Sequence, residues 1–98
     1  MNFSVRFHPD ADAEINEAAA FLDIESPGLG LAFLDDLEHA IEVIVSHPVA
    51  APILRGRLRR KVLRKFPYSI IYSIVGEEIR ILAVYHQRRR PFYWHPRR

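Results

Sequence analysis

The first residues alternate. In Asn2-Phe3-Ser4-Val5-Arg6-Phe7 the side chains of Phe3, Val5 and Phe7 fall on one face, which predicts a half-buried strand. His8-Pro9-Asp10 then reads as a helix start. Pro suits the first helical position, and Asp10 and Asp12 lie where the helix dipole favours negative charge. Ala11, Ile15, Ala18 and Leu22 follow at spacings of 4, 3 and 4, one face of a helix, with Asp12, Glu14, Glu17 and Asp23 on the other faces. Ser26-Pro27-Gly28 breaks that helix and predicts another, with Ser26 as N-cap and Pro27 at the first position. Leu34, Leu37, Ile41 and Ile44 repeat at 3, 4 and 3, and Asp35, Asp36, Glu38 and Glu42 take the other side. His47-Pro48 is the expected stop, since the residue before Pro is biased away from helix. Residues 9–47 therefore read as a helical hairpin with antiparallel arms.

Beyond it the period shortens. Residues 48–57 look like a loop, and three strand-like segments follow: Leu58–Phe66, Tyr68–Val75 and Ile79–His86. Gly76-Glu77 is a tight hairpin turn between the last two. Pro67 marks a bend or an edge position. The tail Gln87–Arg98 has no clear period. In the hairpin, Ile70, Tyr72 and Ile74 share a face with Ile79, Ile81, Ala83 and Tyr85, the better candidate for packing on the helices. Ser69, Ile71 and Ser73 share the opposite face with Arg80, Leu82, Val84 and His86. The expected fold is α+β, in the order β-α-α-β-β-β. A helical hairpin packs on one face of a small, mainly antiparallel twisted sheet, and the uncovered face is a contact surface.

Length and charge sharpen this picture. The 98 residues suit a single domain over 1–98. The net charge of +2 conceals a strong segregation. Residues 1–49 hold ten acids and one base, a net of −9; residues 50–98 hold thirteen bases and two acids, a net of +11. Such a division points to an anionic partner for the basic half. There is no cysteine, which excludes disulfide scaffolds, thiolate zinc sites and thiol catalysis. The longest apolar runs are five residues, too short to span a bilayer, and no signal peptide is apparent, so the expected location is cytoplasmic. The four glycines are too scattered for a phosphate loop. His39, His47 and His95 lack partners at metal-ligand spacing, so no metal site is expected.

Two constellations carry candidate chemistry. Residues 55–65 hold seven bases in eleven positions, among them Arg59, Arg60, Lys61 and Arg64. If the strand ran through them, Arg60 and Arg64 would point one way and Arg59, Lys61 and Lys65 the other. This suits a phosphate-binding track or a dock for an acidic protein, and equally a solvated edge strand guarded by charge. The second is the ending from His86 to Arg98, where Arg88, Arg89 and Arg90 precede Phe92, Tyr93 and Trp94. Aromatic rings can stack on bases while Arg neutralises phosphates. His86 and Tyr93 could exchange protons in phosphodiester cleavage with Arg stabilising the charged transition state. Alternatively, the aromatics anchor the tail to the sheet.

The basic strand, the Phe66-Pro67-Tyr68-Ser-Ile-Ile-Tyr72 segment and the ending His86-Gln-Arg88-Arg89-Arg90-Pro91-Phe-Tyr93-Trp94 together resemble the RelE/ParE superfamily of toxins from bacterial type II toxin–antitoxin systems. The resemblance covers nearly the whole chain. It implies one of two actions. RelE-like members cut messenger RNA on the ribosome without a metal or other cofactor. ParE-like members inhibit DNA gyrase by binding it. In both, a cognate antitoxin wraps the toxin with an extended and helical segment, giving a toxin–antitoxin hetero-oligomer with no membrane component. On the nuclease reading the matching catalytic positions are Arg64, His86, Arg89 and Tyr93. Arg60, Lys61 and Arg88 would hold phosphate, and Arg59 and Trp94 would belong to the same target-contacting surface.

Overall fold

A computed structural model describes residues 3–90 and 92–98. Asn2 of the expected first strand and Pro91 of the ending lie outside these residues. The order is β1 (Ser4–Phe7), α1 (Pro9–Glu25), α2 (Leu29–Ser46), β2 (Ile53–Arg55), β3 (Leu58–Val62), β4 (Tyr68–Val75) and β5 (Glu78–His86). The five strands form one sheet in the order β1-β5-β4-β3-β2. β1 runs parallel to β5, and every other pair is antiparallel. The two helices pack on one face, so the fold is α+β as expected.

Local signals explain most element ends. His8 caps α1, its Nδ1 accepting from the Asp10 N–H at 3.0 Å, with Pro9 opening the helix. Ala11 and Ile15 are buried, and Ala18 and Leu22 pack beside them. The interhelix link departs from expectation. Ser26 is the C-cap of α1 rather than the N-cap of α2, and α2 begins at Leu29 after Gly28 at φ +90°. The Asp23 carboxylate takes the place of the missing cap, accepting from the N–H groups of Gly28 and Gly30 at 3.2 and 2.9 Å. Gly76, at φ +62°, makes the expected β4–β5 turn.

The helical face of α2 is rotated from the one predicted. Phe33, Leu37, Ala40 and Ile44 are buried, whereas Leu34 is exposed and Ile41 only partly covered. The acid Asp36 is buried with them. Its Oδ2 accepts from the backbone N–H groups of Lys65 and Phe66 at 2.8 and 3.1 Å, which satisfies the charge and fixes the turn after β3. That turn shortens the basic strand: β3 ends at Val62, not Phe66, and Arg64 and Lys65 lie outside it. The segment read as a loop contains the short edge strand β2, which pairs Ile53 with Arg59.

The larger correction is in β5. A bulge between the pairs Ile71–Ala83 and Tyr72–Ile81 leaves Leu82 unopposed and shifts the alternation by one residue. Before the bulge, Ile79 and Ile81 face the helices as expected. After it, Val84 joins the helix-side core, while Ala83 and Tyr85 pack on the other face with Ile71, Leu82 and Trp94. His86 follows Val84 to the helix side and meets the Tyr68 ring edge-on at 5.2 Å.

Candidate functional site

The sheet face opposite the helices is only partly open. After β5 the chain turns back, with Phe92 in the left-handed region at φ +60°, and lays Trp94 over Ile71, Leu82 and Ala83. A left-handed non-glycine residue costs about 1–2 kcal/mol, so burial of a full indole has to hold this reversal in place. Trp94 is 1% exposed. Phe92 stays on the surface, under the Arg55 guanidinium at 5.0 Å.

One carboxylate from α1 fastens this tail. β1 stops opposite Ile81, so the β5 backbone beyond it has no strand neighbour on that side. Glu14 takes its place: Oε1 accepts from the Val84 N–H at 3.1 Å and from Arg97 Nη1 at 2.8 Å, and Oε2 accepts from the Tyr93 hydroxyl. The Arg89 guanidinium lies 3.8 Å from the same carboxylate and stacks over the Tyr93 ring at 3.9 Å. Arg97 also donates to the Leu82 carbonyl at 3.2 Å. Burial, reinforced by the Glu14 hydrogen bond and charge, holds the Tyr93 phenol far above its ordinary pKa. Tyr93 therefore keeps its proton and spends it on Glu14.

Beside this cluster a polar concavity of about 340 Å³ opens on the sheet face, lined by Arg60, Val62, Ser69, Tyr85, Gln87 and Arg89. It brings one base from β3 and one from the segment after β5 to a common space, an arrangement suited to an anionic group. Among the described residues no group of three or more His, Asp or Glu stands ready to hold a metal ion. No helix among them is long and apolar enough to cross a membrane.

A family model described as the ParE toxin of the type II toxin–antitoxin system parDE matches residues 5–91. The chain belongs to the ParE toxin family. It is thus a type II toxin of the RelE/ParE superfamily. Its fold is similar to a chromosomal ParDE system from P. aeruginosa, with TM-score 0.75 and 20% identity over 86% of this chain and 95% of that one. It is also similar to a free double arginine-to-alanine mutant of E. coli toxin RelE, with TM-score 0.64 and 16% identity over 90% and 86% of the two chains. The toxin–antitoxin complex RelBE2 from Mycobacterium tuberculosis gives TM-score 0.61 and 20% identity over 88% and 99%. No curated protein matches by sequence.

Within this ParE-family fold the residues singled out from sequence divide into separate environments. Arg60 and Arg89 share the sheet-face concavity, and Arg89 also joins Tyr93 at Glu14. His86 packs against Tyr68 and shares a hollow on that side with Glu14 and Arg89; its Nδ1 accepts from the Arg88 N–H at 3.1 Å, while the Arg88 residue itself is exposed. Arg64 reaches His39 on α2, with 3.2 Å between Nη1 and Nε2. Arg59 donates to the Val49 and Ala51 carbonyls at 2.9 and 2.7 Å, securing the approach to β2. Lys61 lines a different hollow, against Ile44 and Tyr72. Trp94 packs in the sheet-side core, where its ring faces Ile71 and Leu82 rather than a partner. Sequence reasoning missed Glu14 because its partners are 70 to 83 residues away. The available signal was its place beside Ile15, on the flank of the buried stripe of α1.

Proposed function

We propose that this toxin acts by binding a protein target, DNA gyrase, and that a cognate antitoxin neutralises it. One observation carries the choice of binding over cleavage. Of the four side chains a nuclease would need together, Arg64 is engaged away from the others at His39, and Tyr93 is held by Glu14; His86 shares a hollow with Arg89 but packs against Tyr68 on the helix side. A phenol held protonated by a carboxylate is a poor general base, and a histidine on the helix side of the sheet does not face the sheet-face concavity. The match to the ParE family model supports the same reading. The whole of residues 1–98 acts as one toxin domain, in the cytoplasm where gyrase works. The antitoxin segment is acidic with alternating apolar residues and covers the basic sheet face, which matches the charge of Arg60, Arg88 and Arg89.

A second reading keeps the sheet-face concavity as a phosphate cradle for ribosome-dependent messenger RNA cleavage, favoured by the shared placement of Arg60 and Arg89. Purified toxin assayed for gyrase supercoiling and, separately, for messenger RNA cleavage on ribosomes decides between them. Inhibited supercoiling with intact messenger RNA is the expected result. Cleavage that disappears in folded His86→Ala and Arg89→Ala variants would sink the gyrase reading.

A further inference from the structure

At the far edge of the sheet, where β1 meets β5, a second basic concavity of about 260 Å³ lies outside the site described above. Arg6, His8, Arg80 and Arg98 line it, over a floor that includes the buried Leu82. Its placement follows from register. Arg6 and Arg80 are paired directly across the parallel strands β1 and β5, and neighbouring strands lie only about 4.8 Å apart. Both alternate with core-facing residues: Val5 packs against the core beside Arg6, and Ile79 and Ile81 flank Arg80. The two guanidinium groups therefore leave the sheet on the same side.

Two like charges opposite one another on paired strands repel. Local acids relieve this only in part. Glu78 Oε1 accepts from Arg80 Nε at 2.6 Å. Asp10, the other nearby acid, lies 3.6 Å from Arg97 and 4.0 Å from His8. Among the described residues, neither Arg6 nor Arg98 has a carboxylate within 4.0 Å. Three arginines outweigh the Glu78 charge and leave a net positive charge around a space that would hold one tetrahedral anion and a few waters. The apolar floor removes solvent from one side, which strengthens the attraction for an anion.

We propose that this concavity binds a phosphate group carried as a dianion. The net positive charge favours an anion, and guanidinium forks suit phosphate oxygens, which accept paired N–H bonds. A carboxylate offers half the charge and fewer acceptors. Free phosphate and the terminal phosphate of a nucleotide chain present the same chemistry to this site. The site is independent of the gyrase and antitoxin readings, because it lies on the other side of the tail from Arg60 and Arg89.

The test is a titration of the full chain, followed through the arginine side-chain N–H resonances. Inorganic phosphate at fixed ionic strength should give saturable shifts confined to Arg6, Arg80 and Arg98. Arg6→Gln should weaken binding about tenfold or more, equivalent to roughly 1.4 kcal/mol, and Arg6→Lys less, because a point charge keeps the attraction without the fork. If Arg6→Gln fails to fold, Arg98→Gln serves, with circular dichroism as the check. Equal shifts with chloride, shifts spread equally to Arg57 and Arg90, or undiminished binding by a folded variant would overturn the site. A dinucleotide bearing a 5′-phosphate should compete with inorganic phosphate and the unphosphorylated dinucleotide should not. Equal competition by both would overturn the dianion preference, since both carry the backbone diester.

Discussion

Glu14 concentrates more of this molecule's organisation than any other side chain. It closes the open flank of β5, neutralises part of the tail and holds the Tyr93 hydroxyl, all from a position about one-tenth exposed. Replacing it by Gln keeps the shape but removes the charge facing Arg97 and Arg89. Hydrogen bonds to a charged group are worth about 1.5–3 kcal/mol, so Glu14→Gln should lower stability by about 2 kcal/mol in urea unfolding. The detached tail should also expose Trp94, read as a red shift of its fluorescence. Tyr93 makes a related prediction at high pH. Burial and Glu14 raise its pKa, and burial likewise raises those of Tyr68 and Tyr72. In the unfolded chain tyrosines ionise near 10, so above about pH 10 the unfolded state sheds protons that the folded state retains. Stability contributed by these raised values is complete below that pH and is lost as pH climbs toward the folded-state values. Tyr93→Phe should flatten part of the alkaline decline in unfolding midpoint while leaving the Tyr68 and Tyr72 share.

At the scale of elements, the helical hairpin depends on a close approach that no periodicity announces. A Cβ on Gly30 would stand 2.4 Å from the Ala19 carbonyl oxygen, a backbone atom that cannot step aside without moving α1. Gly30→Ala should therefore push the helices apart and cost about 1–3 kcal/mol, seen as a lower thermal midpoint with little change in helix content. Gly28→Ala meets no neighbouring atom, but its φ of +90° strains any side chain there. These helices and the β4–β5 turn were legible in the sequence because local signals determine them: Pro9 after a capping His8, the 3- and 4-residue apolar spacing, Gly76 in a turn. The parts that were not legible depend on distant partners. Asp36 looks like one more surface acid until the turn at Lys65 and Phe66 supplies its donors. The β5 bulge leaves no mark in an apolar run where either face would accept Ala83 or Val84, so alternation alone puts His86 on the wrong side. Trp94 reads equally well as a stacking platform or as an anchor, and only the apolar patch of Ile71, Leu82 and Ala83 decides for the anchor.

For the molecule as a whole, the −9 and +11 halves of the chain map largely onto different surfaces, but not completely. Asp10 and Glu14 belong to the acidic half and cross over to meet Arg97 and Arg89, so part of the tail's charge is already answered internally. Arg60, Arg88 and Arg90 remain exposed on the basic side. The Cα framework measures 39 × 28 × 22 Å, and the screening length at physiological salt is about 8 Å. Even the shortest dimension is more than twice that length, so a partner approaching one face senses little of the opposite charge on the other. A protein of net charge +2 spread evenly would associate with an acidic partner at a rate nearly indifferent to salt. With the charges segregated, electrostatic steering should accelerate encounter with the antitoxin, and raising salt from about 50 to about 500 mM should slow association by roughly tenfold or more, with a smaller effect on dissociation. Reversing Arg60 and Arg88 to Glu should remove most of that salt dependence, whereas Glu38→Lys and Glu42→Lys on the outer face of α2 should leave it nearly intact. Stopped-flow association at several salt concentrations measures all three. A salt response altered equally by the α2 pair would mean that the partner senses the molecule's total charge, or docks on the helices, rather than recognising its basic face.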